Sequence, residues 1–175
     1  MSTQASSSAA LPIASIALRT LIVLNWLMGA AILAVLVVMP NGRWIMAAFK
    51  LAPSTDTDQL ILGLRAIAVL GLAVIPLQYV VLTRLLAIVG TVRAGDPFVA
   101  GNAFRLRAIA WALLGLQLLS LVIGAIVKTV STAAHPLDIE AGFSINGWLA
   151  VLLTFLLARV FAAGTLMRDD LAGTV

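Results

Sequence analysis

Four long apolar runs, separated by arginines and turn-forming residues, set the hydrophobic pattern of this chain. The first is LIVLNWLMGAAILAVLVVM, residues 21–39, between Arg19 and Pro40. The second covers about 62–89, with AIAVLGLAVIPLQYVVLT held between Arg65 and Arg84. AIAWALLGLQLLSLVIGAIV, residues 108–127, follows Arg107 and ends at Lys128. The last begins near Ser144 and runs through WLAVLLTFLLARVFAAGTLM to Arg168. A hydrocarbon layer of about 30 Å needs roughly 20 helical residues at 1.5 Å each, and every run meets that length. A membrane barrel would show short alternating segments instead. The pattern therefore predicts an all-α, integral membrane four-helix transmembrane bundle, with spans at about 17–39, 62–89, 106–127 and 144–166.

Local signals sharpen the boundaries. Asp56 followed by Gln59 resembles a capping box, Ser144 is placed to cap the fourth helix, and Pro76 inside the second span predicts a kink. The Ser/Ala-rich residues 1–14 read as a flexible tail, and 169–175 as a short tail after the last span. The opening MSTQASSSAALPIAS carries no basic residue, and the run that follows Arg19 exceeds a signal-peptide core, so a retained first helix is expected.

Composition agrees with lipid as the solvent. The chain has 175 residues, 62% hydrophobic and 10% charged, with a mean hydropathy of +1.13. A core of this size could not hide so much apolar surface from water. The formal charge of +4 points to membrane topology before nucleic acid. With the amino terminus inside, Arg19, Arg84, Arg93, Arg105, Arg107, Arg159 and Arg168 face the cytoplasm; Arg43, Lys50, Arg65 and Lys128 face outward. The basic excess predicts both termini in the cytoplasm, with no direct nucleic-acid contact. The absence of cysteine rules out disulfides and thiolate chemistry.

GDPFVAGNAFRLR, residues 95–107, then becomes the one cytoplasmic connection. Gly95 frees the backbone, Asp96 caps a turn, Pro97 suits a first helical position, and Asn102 is placed to cap the third helix. Arg105 and Arg107 stand at the headgroup level, where anionic lipids collect. Turn chemistry with lipid anchoring is one reading of this stretch. A cytoplasmic partner or headgroup face built from Arg93, Asp96, Asn102, Arg105, Arg107, Arg168, Asp169 and Asp170 is the other.

Two blocks, GDPF with NA-x-RLR and LARVF with MR-x-DL-x-GT, are similar to those of the bacterial integral-membrane family of domain of unknown function 2975. The likeness covers roughly residues 15–175, the first sixty mainly in hydropathy. It implies a four-helix inner-membrane protein without an established activity. Members are often encoded beside a small helix-turn-helix regulator, which implies a membrane partner for a transcription factor. Relatives often carry an acid where this chain has Ala172, so its tail is less negative.

Polar groups inside a bilayer are costly and repay attention. Asn25, Gln78, Gln117 and Arg159 lie on four different spans, and counting from the flanking arginines sets them at similar depth. They are expected either to form one polar cluster around the Arg159 guanidinium, or to act as separate packing bonds while Arg159 snorkels. Small residues four apart, Ala30 with Ala34, Ser120 with Gly124 and Ala158 with Ala162, allow close helix approach.

Catalytic chemistry finds little support. Asp96, Asp169 and Asp170 lack a visible acid–base partner, and phosphate-binding glycine motifs are absent. His135, with Asp138 and Glu140, is too sparse for haem or zinc, though it suits a pH or cation sensor. The sequence thus favours a regulatory or sensory membrane protein that is not an enzyme and needs no cofactor. Transport of a small solute or ion by a homo-oligomer is the alternative, and lipids are the constant partner.

Overall fold

The computed structural model describes the backbone of residues 4–38, 55–96, 98–131 and 141–172, and side chains of 11–37, 58–96, 98–131 and 141–167. Four helices account for nearly all of it: α1 (Gln4–Val38), α2 (Thr55–Arg93), α3 (Ala100–Val130) and α4 (Ile145–Ala172). Each contains a stretch long and apolar enough to cross a membrane: Leu11–Val37, Asp58–Arg93, Ala100–Val130 and Ile145–Met167. Only 11–22% of an apolar 18-residue window in each is buried inside the protein. Leu62, Leu152, Val160 and Met167 are among many large apolar side chains left exposed. Lipid must cover them, and this is a multi-pass membrane protein.

The helices pack in chain order. α1 lies on α2, α2 on α3, and α3 on α4. Among the described residues, no comparable contact closes α4 onto α1. α3 carries the core, where Leu106 and Ile109 meet Ala158 of α4, with Val81, Leu85, Ile88 and Phe161 around them.

Small residues set the helix separations. A Cβ on Gly63 would fall 2.4 Å from a Val130 methyl, and one on Gly115 would fall 3.1 Å from Leu77. Thr91 meets Asn102 at the other end of the same antiparallel pair, so α2 and α3 keep one register over their full length. Between α1 and α2, Gly29 sits against Ile75, and Asn25 Nδ2 donates to the Ile75 carbonyl at 3.1 Å.

Several boundaries differ from the sequence reading. α1 starts at Gln4, where a flexible tail was expected, and passes through Pro12. Extending an existing helix through alanine-rich sequence adds one hydrogen bond per residue, whereas starting one is costly. α2 begins at Thr55, so Asp56 lies inside the helix instead of before it. At 39 residues α2 also outlasts the expected span, reaching about 58 Å against a hydrocarbon layer of about 30 Å, so its ends project or the helix tilts. α2 remains helical through Pro76. Ala30 and Ala34 are exposed and do not mediate packing.

The Ser144 cap is present: its Oγ accepts from the Gly147 N–H at 3.2 Å. The segment leading into it is stapled onto α3. Ser120 Oγ donates to the Gly142 carbonyl at 3.2 Å and accepts from the Gly142 N–H at 3.1 Å. Gln117 Nε2 donates to the Ser144 carbonyl at 3.3 Å. Gln117, Ser120 and Gly124 share one helical face, and a Cβ on Gly124 would lie 2.7 Å from the Gly142 Cα. Gly142 itself has φ +129°, open to glycine and strained for other residues.

Gly124→Ala is expected to lower unfolding stability in detergent by about 1–3 kcal/mol, because the strap has no room to yield. Gly90→Ala has nothing within 4 Å of the new methyl and is expected to gain about 0.5–1 kcal/mol from helix propensity. Thermal unfolding followed by circular dichroism separates them; equal effects contradict the strap.

Candidate functional site at the arginine-bearing end

The connection between α2 and α3 is built from backbone hydrogen bonds. Gly95, at φ +84°, follows the end of α2. Its N–H donates to the Val92 carbonyl, and the Asp96 N–H donates to the Thr91 carbonyl, both at 3.1 Å. This is a Schellman motif, in which glycine takes the left-handed position and the last carbonyls of the helix are satisfied. Gly95 thus has the role expected of it. Asp96 contributes its backbone N–H to the turn. Pro97 lies outside the described residues.

Asn102 departs from expectation. The residue before α3 is Val99, which makes no side-chain cap, and the Asn102 backbone N–H bonds the Val99 carbonyl at 2.9 Å. Its side chain is fully buried, so it belongs to no exposed face. Nδ2 donates to Thr91 Oγ1 at 2.7 Å, Thr91 Oγ1 donates to the Ile88 carbonyl at 2.8 Å, and Asn102 Oδ1 accepts from Arg105 Nη1 at 2.7 Å. A buried amide with both ends occupied ties the two helices together and orients Arg105. Nothing in the local sequence distinguishes this role from a cap; only the α2–α3 register brings Thr91 within reach.

The four intramembrane polar residues do not converge. Asn25 is buried against Ile75, with its Oδ1 buried and without a hydrogen-bond partner. Gln117 serves the strap into α4. Gln78 is exposed on α2. The three amides do share a level, because Leu77 abuts Gly115 and Asn25 abuts Ile75. Arg159 is exposed instead, about 12 Å nearer the α2–α3 connection at 1.5 Å per residue. Counting from Arg168 set Arg159 level with the amides; the packing of α4 on α3 places it nearer the connection.

Its neighbour is a second cation. Trp111 of α3 meets Phe155 of α4 edge-on, with centroids 5.4 Å apart. One turn further toward the connection, both helices present an arginine, Arg107 and Arg159. These two side chains line one groove between α3 and α4, of about 640 Å³, with Phe104, Ala158, Ala162 and Leu166 among its walls. Both arginines are exposed, and neither has a hydrogen-bond or ion-pair partner among the described residues. The sequence-read span 106–127 put Arg107 at its very start, so only the longer α3 of the structure brings it level with Arg159.

Arg93 is also exposed at this end. The backbone at Arg168, Asp169 and Asp170 continues α4, while their side chains, like His135, Asp138 and Glu140, lie outside the described residues. No cluster of three or more His, Asp or Glu occurs among the described residues.

The family model for Protein of unknown function (DUF2975) matches residues 43–175, which cover α2, α3, α4 and both arginine blocks. The chain belongs to this family. The match starts after α1, later than the likeness read from sequence. Comparison with curated proteins and with solved structures gives no match.

Asn102→Ala leaves Thr91 and Arg105 without their shared partner, and is expected to cost about 1–3 kcal/mol. Limited proteolysis of purified protein is expected to cut the 93–99 segment faster than in the parent. An unchanged cleavage rate contradicts the lock.

Proposed function

We propose that this protein is a regulatory, non-enzymatic membrane protein of a bacterial inner membrane, with both termini and the 94–99 connection in the cytoplasm. In this reading its arginine-bearing end docks a small helix-turn-helix regulator. The observation that supports it most is the construction of that end. A Schellman turn, a buried asparagine and a threonine fix one short connection, and Arg105 is held in place on it. A merely solvated loop needs no such bracing, whereas a docking face gains from presenting its charges in one geometry. Arg93 and Arg105 supply the cationic contacts, and Arg168, Asp169 and Asp170 extend the face. Control of docking requires a stimulus that binds two conformations of the helices unequally. The α1–α2 contact, where Asn25 bonds the Ile75 carbonyl beside Pro76 and leaves its own buried Oδ1 without a partner, is the element best placed to have two packings.

One observation favours a second reading. Gln78 is an exposed amide at mid-span with no hydrogen-bond partner among the described residues. Amides in lipid associate helices by about 1 kcal/mol each, so copies pairing through α2 would build the oligomer that transport requires.

The experiment is co-purification in mild detergent of the tagged protein with the product of a neighbouring helix-turn-helix gene. Arg93→Gln with Arg105→Gln is expected to reduce retained regulator at least about a hundredfold, since two lost charge-assisted contacts are worth about 1.5–3 kcal/mol each. Full retention by that variant rules out the face. A Gln78→Leu variant that loses both a crosslinked oligomer and solute flux into vesicles turns the choice to transport.

A further inference from the structure

The groove between α3 and α4 is unlike the rest of the lipid-facing surface. Its walls are largely apolar and aromatic, Trp111 and Phe155 meet across it, and Arg107 of α3 and Arg159 of α4 both line it. Two guanidinium groups lining one groove, with no carboxylate partner among the described residues, repel each other, and the repulsion is strong where the dielectric is low. Arg107 is about 10 Å from the start of its span, and Arg159 about 12 Å from the end of its own, at 1.5 Å per residue. Both therefore lie inside their candidate spans, toward the same end of the bundle. Packed helices stand about 8–10 Å apart, within the joint reach of two arginine side chains.

We propose that this groove is a binding site for one anionic phospholipid. Its phosphate sits between Arg107 and Arg159, and an acyl chain lies along Phe104, Ala162 and Leu166. The arginines supply the charge: planar guanidinium forks bind phosphate oxygens in pairs, and their mutual repulsion is relieved only by an anion. The walls supply the chain, since free phosphate gains nothing from an aromatic, lipid-exposed cleft. A second copy of this protein would bring the same cations to the interface. The site stands apart from the proposed docking of a regulator, because Arg105 points to Asn102 and not into the groove.

The test is native mass spectrometry of the full chain from micelles holding phosphatidylglycerol and phosphatidylcholine of identical acyl chains in equal amounts. The parent is expected to retain phosphatidylglycerol preferentially. Arg107→Gln or Arg159→Gln is expected to lower that preference about fivefold, and the pair about thirtyfold, from about 1 kcal/mol per basic residue near anionic lipid. Arg159→Lys keeps most of it, and Arg84→Gln, an exposed arginine outside the groove, changes nothing. Equal retention of both lipids in the parent, or an unaltered preference in the arginine variants, overturns the proposal. So does displacement of the lipid by inorganic phosphate, or a lipid-free dimer. A second measurement needs no arginine change. In vesicles, dibrominated phosphatidylglycerol quenches tryptophan emission more than dibrominated phosphatidylcholine, and Trp111→Phe removes the difference. If Trp111→Phe leaves it intact, the lipid is elsewhere.

Discussion

Hydrocarbon accepts no hydrogen bonds and screens no charge, so each polar group in a membrane span must be satisfied by the chain or by something bound to it. Backbone groups meet the demand through helices, leaving only the ends and a few side chains to be settled. Here the ends are settled by a Schellman turn after α2 and a serine cap before α4. The side chains divide into those with partners and those without. Asn102, Ser120 and Gln117 bond neighbouring elements. Arg107 and Arg159 project into a groove that offers them none among the described residues.

Glycine at contact points and bracing amides do the work that a dry hydrophobic core does in a soluble protein. Burial cannot drive association when the surroundings are as apolar as the side chains, so close backbone approach and occasional hydrogen bonds decide which helices touch. Gly63 and Gly115 let α2 and α3 approach, and Gly124 admits the strap that positions α4. The resulting serial packing leaves α1 attached through one side only, chiefly to α2. The arginine-bearing end is the most heavily braced part, and α1 the least.

The spans were legible because hydropathy is a property of length and composition, and those are read directly from sequence. So was Ser144, because a cap depends on neighbours two or three residues away. Asn102 was not, since its partners Thr91 and Arg105 are brought together by the register of two helices. Arg159 shows the same limit more sharply. Counting set it level with the amides, but the way α4 packs against α3 puts it one turn beyond the Trp111–Phe155 contact, beside Arg107 and away from the amides. Ser120 and Gly124 were recognised as small for a reason, yet what they admit is a connecting segment and not a helix.

The account's central claim is the placement of this protein in the membrane, with its braced, arginine-bearing connection toward the cytosol. The absence of native cysteine makes a direct measurement clean. Ala94 and Phe143 are both exposed and lie beyond opposite ends of α3. Single Ala94→Cys and Phe143→Cys variants in intact cells are to be treated with a membrane-impermeant maleimide, before and after permeabilisation of the inner membrane. The account predicts that Phe143→Cys labels in intact cells and Ala94→Cys only after permeabilisation. The reverse pattern inverts the proposed topology, and labelling of both from one side contradicts a third helix that crosses the bilayer.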